Sequence, residues 1–336
     1  MTPREIVHKT LEFAGPERVA RSFGESGGDL LAVACAAKTR ATPWREVGGG
    51  RWERIDEWGN TLARLDATSK GEVVKGVLDD LSRLDRCGFP DYSDPKDYAC
   101  VAEAKARSPR KWILGRMPGF TFNIARQLRR FDQYLVDLML EPDLVRELHD
   151  RVDAMLEEMI LNYARAGADG IFFLEDWGTQ TGVMISPELW RREFYPRSKR
   201  LCGLAREGGM KVFMHSCGKI GAIVPGLIEA GVDVFQFDQP DLHGIDNLAA
   251  YQESAKATFW CPVDIQETLQ RRSERAIRAK AREMVEKLWR GRGGFIAGCY
   301  EDDASIGLDP KWQRIACDEF VARGVRENFG GSRGGS

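Results

Sequence analysis

Near the middle of the chain, Lys211-Val212-Phe213-Met214-His215-Ser216-Cys217-Gly218 carries an apolar run into a His-X-Cys pair. On an extended strand, residues i and i+2 face the same way. The imidazole of His215 and the sulfur of Cys217 therefore converge on one spot, and both are ligand types that zinc prefers. A second apolar run, Gly294-Phe295-Ile296-Ala297-Gly298-Cys299, also ends in a cysteine. His215, Cys217 and Cys299 would supply three ligands, and three protein ligands with one open position is the layout of a catalytic zinc. The same residues have a plainer reading. Free cysteine is among the most buried residue types, so Cys217 and Cys299 would then be ordinary interior thiols. A lone His-X-Cys is a weak motif.

Other apolar runs also end in polar residues. Glu175, Asp176, Trp177 and Gln180 follow 170–174; Gln236 lies inside 232–237 and Asp238 follows it; Asp264 and Gln266 come shortly after 257–260. Cys299 leads into Tyr300-Glu301-Asp302-Asp303. Glu175, Asp176 and Asp264 are the candidate catalytic carboxylates. Trp177, Gln180, Gln236, Asp238, Gln266 and Tyr300 are the candidate substrate contacts. Taken singly, each has a structural use: Asp264 is placed to cap a helix, Asp238 to cap a turn, and 301–303 to form a solvated acidic loop. His149 and His243 read as helix or surface residues without a role.

The elements that must position these groups follow from periodicity. The runs 111–117, 170–174, 211–214, 232–237, 257–260 and 294–298 show no polar alternation, as expected of parallel strands covered on both faces. Helical patterns separate them at 143–166, 187–207, 220–230, 245–254 and 274–290, several ending in glycine before the next strand. Repeated βα units of this length predict an α/β fold, a closed (β/α)8 TIM barrel, with active-site residues at the C-terminal strand ends. Residues 29–34 would be its first strand. Residues 51–56 and 61–65, joined around Gly59-Asn60, read as a β-hairpin insertion behind an N-terminal extension. One domain is expected over 1–328, with a flexible Gly/Ser tail at 329–336.

Composition narrows the function classes. Of the 336 residues, 43% are hydrophobic and 30% charged, which is ordinary for a soluble globular protein. A net charge of −2 argues against a nucleic-acid surface. No stretch nears the ~20 apolar residues of a membrane span, and the N-terminus lacks a signal-peptide pattern. Eight scattered cysteines then imply reduced thiols and a cytoplasmic location.

Four segments taken together resemble the uroporphyrinogen decarboxylase superfamily. They are Glu175-Asp176-Trp177-Gly178-Thr179-Gln180, Ile185-Ser186-Pro187-Glu188-Leu189-Trp190, His215-Ser216-Cys217-Gly218-Lys219-Ile220 and Val263-Asp264-Ile265-Gln266. The resemblance spans about residues 110–325 and rests on their order and spacing. It implies a (β/α)8 barrel and one of two chemistries. The porphyrin decarboxylase branch is cofactor-free and carries an N-terminal Arg-Gln-Ala-Gly-Arg clamp. Here there are only scattered arginines, Arg21, Arg40 and Arg45, too few for a polycarboxylate.

The zinc methyltransferase branch moves a methyl group from a methylated corrinoid to a thiol such as coenzyme M. Its ligands map onto His215, Cys217 and Cys299, with Glu175 the expected resting fourth ligand, although the Gly-Cys-Tyr-Glu-Asp-Asp context of Cys299 departs from that branch. The resemblance therefore implies zinc, a small thiol acceptor and a corrinoid of the methylcobalamin type. That corrinoid would come with the substrate or a partner protein, because the chain has no Asp-X-His-X-X-Gly motif. Two rivals stay open: a metal-independent decarboxylase or lyase with Asp264 or Asp176 as general acid, and a non-catalytic barrel that binds a corrinoid or tetrapyrrole.

Overall fold

Apolar runs covered on both faces pair side by side in the computed structural model, which describes residues 1–329 apart from Ala37, Lys38 and Arg40. Of the expected tail, 330–336 lies outside the described residues. Eight strands form one sheet: β1 (Ala20–Ser22), β2 (Leu30–Ala34), β3 (Trp112–Arg116), β4 (Gly170–Leu174), β5 (Lys211–His215), β6 (Val234–Gln236), β7 (Thr258–Cys261) and β8 (Phe295–Gly298). Every neighbouring pair is parallel, and β1 also pairs with β8, so the sheet curls round in chain order. The remaining seam, between β1 and β2, is closed by Asp29. Its amide donates to Arg21 O at 2.8 Å, while its carboxylate accepts from Arg21 N at 2.8 Å and from both Arg18 guanidinium nitrogens at 2.7 Å. The result is a (β/α)8 barrel.

Phe213, Val234, Ile296 and Leu114 fill its interior, and the N-terminal helix Pro3–Leu11 packs its buried Ile6, Val7 and Leu11 beneath them. That helix is tied to the N-terminal strand ends by the Arg4–Asp169 ion pair and by Lys211 Nζ to Glu12 at 2.8 Å. The strand mouths at the other end stay free for chemistry.

Three expectations change. The first barrel strand is Ala20–Ser22, and 29–34 supplies the second; three residues are too few to display a run. The hairpin Arg51–Ile55 with Thr61–Arg64 is antiparallel as expected, but it forms the middle of a four-stranded sheet flanked by Arg45–Gly48 and Glu72–Lys75. The flanking strands are largely exposed and carry little apolar pattern. Finally, the helix expected over 187–207 is two helices, Pro187–Glu193 and Tyr195–Glu207. Pro196 lacks the N–H that a continuous helix would need there. Among the described residues, no helix is long and apolar enough to cross a membrane.

Asp29 is buried and its partner Arg18 is half-buried. Removing one partner of such a pair strands the other charge, at a cost of about 3–5 kcal/mol. Asp29→Ala should therefore lower the urea-unfolding free energy by about 3 kcal/mol; a loss under about 0.5 kcal/mol would mean that the seam does not depend on this ion pair.

Candidate active site

The loops that leave β4 and β5 are joined along their length. Glu175 N donates to His215 O at 2.9 Å, Trp177 N to Ser216 Oγ at 3.2 Å, Cys217 N to Asp176 Oδ1 at 2.8 Å and Lys219 N to Thr179 O at 2.7 Å. This approach requires glycine on both sides. Gly218 has φ +75°, and a Cβ there would fall on the Gly178 backbone; one on Gly178 would lie 2.7 Å from the Gly218 carbonyl carbon.

The joined loops gather three metal-ligating groups. His215 Nε2 lies 3.2 Å from Cys217 Sγ and 3.5 Å from Asp176 Oδ1, and the three ligand atoms all fall within 4.8 Å of one another. His215 Nδ1 is hydrogen-bonded to Gln236 Oε1, whose amide nitrogen donates to Asp238 Oδ1 at 2.8 Å. A carbonyl oxygen only accepts, so the proton sits on Nδ1 and the Nε2 lone pair faces Cys217 and Asp176. Arg126 Nη2 stands 3.6 Å from Asp176 Oδ2, and its Nε donates to Asn123 Oδ1 at 2.8 Å. Cys217 is exposed at the rim. Enough protein surrounds its sulfur that desolvation, followed by the carboxylates of Asp176 and Asp238, raises the thiol's pKa.

Cys299 stands outside this trio. It lines the same cavity as His215, Gln236 and Asp238, of about 280 Å³, but its thiol donates to Tyr300 O at 3.6 Å and is hydrogen-bonded by Cys317. That bond lowers the pKa of Cys299, and the same bond raises that of Cys317. Tyr300 lines the cavity beside it.

Glu175 is turned the other way. Its buried carboxylate accepts from Phe120 N at 2.8 Å, from Phe122 N at 2.9 Å and from Asn123 N, at the start of the helix Thr121–Arg129. The carboxylate beside the His–Cys pair is thus Asp176, one residue on, because successive positions leaving a strand face opposite sides. Burial raises the Glu175 pKa to about 8, with the amide bonds pulling the other way.

The remaining candidates divide in the same manner. Asp264 caps a turn, accepting from Gln266 N at 3.0 Å and Glu267 N at 2.8 Å, and Gln266 is exposed. Trp177 is core: it stacks on Phe122 at 4.2 Å and meets Phe194 edge-on. Gln180 is exposed and exchanges hydrogen bonds with Gln239. His149 and His243, expected as residues without a role, are buried packing residues. His149 links Tyr134 to Glu193, and His243 stacks on Phe237 at 4.1 Å.

Both cationic residues that line the cavity, Arg116 and Lys70, were missing from the sequence-based candidates. Arg116 is the last residue of β3, so the strand-end rule applied to 111–117 would have found it. Lys70 comes from the inserted sheet, with Nζ 5.3 Å from the centre of the Tyr300 ring. No motif marks it.

The family model for uroporphyrinogen decarboxylase (URO-D) matches residues 97–299. The chain belongs to this family. No curated protein matches it. Among solved structures, it is similar to a methyltransferase from Methanosarcina mazei, with 15% identity over 96% of this chain and 86% of that one and a TM-score of 0.54. A B12-independent methionine synthase from Shewanella sp. W3-18-1 is more remote, at 11% identity over 78% of this chain and 69% of that one, with a TM-score of 0.41. At these identities the first likeness establishes the barrel fold alone, and the second carries no argument.

A carboxyl whose folded pKa is raised favours the native state below its unfolded pKa and loses that contribution as pH rises through the folded value. For Glu175 the window runs from about 4.5 to about 8. Urea midpoints at pH 5 and pH 8 should therefore fall with rising pH more steeply for this protein than for Glu175→Gln. The variant should be less stable at both values, because its NH2 group faces amide donors. Equal slopes would show that Glu175 stays ionised throughout.

Proposed function

We propose that this family member is a zinc-dependent methyltransferase that carries a methyl group from a methylated corrinoid to a thiol. One observation carries the reading: an imidazole, a thiol and a carboxylate converge at the end of β5, with the imidazole oriented by Gln236 so that Nε2 faces the thiol and the carboxylate. Nitrogen, sulfur and oxygen donors of these types suit zinc. His215, Cys217 and Asp176 would hold the ion, and Cys299, on the wall of the same cavity, would join by exchanging Cys317 for the metal. When bound, zinc lowers the pKa of a thiol that reaches it and presents it as a thiolate.

This chain's residues supply the rest. Gln236, backed by Asp238, orients the imidazole, the kind of outer contact whose loss typically costs 10–100-fold in metal affinity. Asp176 also accepts from the Cys217 amide and pairs with Arg126, so it can yield its place to an incoming thiol and remain held. The cavity, about 280 Å³, falls below the ~300–1,000 Å³ of sites for drug-sized ligands. It suits a small acceptor, and a corrinoid would present its methyl group from the open mouth, brought by the substrate or a partner protein. The likeness to the Methanosarcina methyltransferase agrees with this reading. In the carboxy-lyase alternative the acid would be Asp176, because Asp264 is occupied in capping a turn.

Protein purified without chelator should contain about one zinc per chain, and Cys217→Ala and His215→Ala should lose it. Gln236→Leu should bind zinc about 10–100-fold more weakly. Demethylation of a methylated corrinoid in the presence of a thiol should stop when zinc is removed. Metal-independent release of carbon dioxide from a carboxylated substrate, lost in Asp176→Asn, would overturn the proposal.

A further inference from the structure

Two thiols meet at the end of β8. Cys299, the first residue after the strand, lines the cavity that His215 and Gln236 also line. Behind it runs the helix Pro310–Arg323, whose Cys317 donates a hydrogen bond to the Cys299 sulfur. A second set of contacts fixes this apposition independently of the sulfurs. The buried Gln313 accepts from Tyr300 N at 2.9 Å, and donates to Tyr300 O at 2.6 Å and to Asp303 Oδ1 at 2.7 Å. Gln313 thus holds the residue next to Cys299 against the helix. Cys317 lies four positions further on, one turn along the same face. Both cysteines are half-buried, and the cavity gives a small solute access to Cys299.

Two thiols held in contact can do what neither does alone. We infer that Cys299 and Cys317 are a modification site, a redox pair that a peroxide closes to a disulfide. The Cys299 sulfur attacks one peroxide oxygen and the O–O bond breaks. A sulfenic acid forms, and the other oxygen leaves as water with the thiol proton. The Cys317 sulfur then attacks the sulfenic sulfur. The S–O bond breaks as the S–S bond forms, and the hydroxyl group leaves as water with the Cys317 proton. The two thiols have lost two electrons and two protons, and the peroxide has become two waters. A sulfur in a disulfide is no longer a thiolate donor. Resting on the zinc reading above, closure therefore withdraws Cys299 from the metal and leaves His215, Cys217 and Asp176 in place. Cys317 is the partner that takes Cys299 away, and is not itself a ligand.

Metal-free protein treated with limiting hydrogen peroxide tests this without turnover. Free thiols would then be alkylated, the peptides mapped by mass spectrometry, and zinc affinity measured by competition with a chromophoric chelator. A peptide joining Cys299 to Cys317 should appear, and dithiothreitol should remove it. Losing a ligand should cost at least as much as losing an outer contact, so the crosslinked protein should bind zinc about 10–100-fold more weakly. Dithiothreitol should restore that affinity, and reduced Cys317→Ser should bind zinc as the parent does. Absence of the joined peptide, zinc binding unchanged by the crosslink, or a tenfold loss in reduced Cys317→Ser would each overturn the inference. The two proposals fail separately. The joined peptide in a protein that binds no zinc in either state removes the metal reading and keeps the thiol pair. Zinc binding by a protein in which the two cysteines never join keeps that reading and removes this one.

Discussion

The candidate site depends on two backbones that touch. Gly178 and Gly218 lie so close that a Cβ on either would strike the other's loop, and the hydrogen bonds from Glu175 to Lys219 hold the two loops together along this contact. Strand geometry alone turns His215 and Cys217 to one side. The contact adds Asp176, from a different strand, at hydrogen-bonding distance from the Cys217 amide. A side chain at either glycine would separate the β4 loop from the β5 loop and take the carboxylate away from the pair.

Around that contact the fold works in layers. The barrel places the strand ends, and its β1–β2 seam is held by Asp29 with Arg18 and Arg21. From β6, Gln236 and Asp238 fix the imidazole from behind. The helix Thr121–Arg129 contributes Arg126 to Asp176 on one flank, and its N-terminal amides hold Glu175 on the other. The inserted sheet reaches over the mouth with Lys70. A rigid frame thus carries a small cavity whose polar groups come from separate elements, as expected of a site that must hold its geometry without a ligand.

The barrel was legible because unbroken apolar runs at helix-length intervals have few other solutions. The short first strand was not, since Ala20–Ser22 is too brief to form a pattern, nor were the outer strands of the inserted sheet, which are largely exposed. At the site, the His215–Cys217 convergence followed from a two-residue spacing. Which of Glu175 and Asp176 would face it did not, because that depends on the amides of Phe120 and Phe122, more than 50 residues earlier in the chain. The contact between Cys299 and Cys317 is equally tertiary. Asp264 is an intermediate case: its side chain does cap backbone amides, as its local sequence suggested, but those of a turn and not of a helix.

The proposed zinc would be held at the end of β5 by the Cys217 sulfur and the His215 nitrogen. X-ray absorption at the zinc edge of the loaded protein tests that most directly. The expected first shell has sulfur at about 2.3 Å and imidazole nitrogen at about 2.0 Å, the sulfur signal dropping in Cys217→Ala. A shell of oxygen and nitrogen alone, or a sulfur signal unchanged by that substitution, would contradict it.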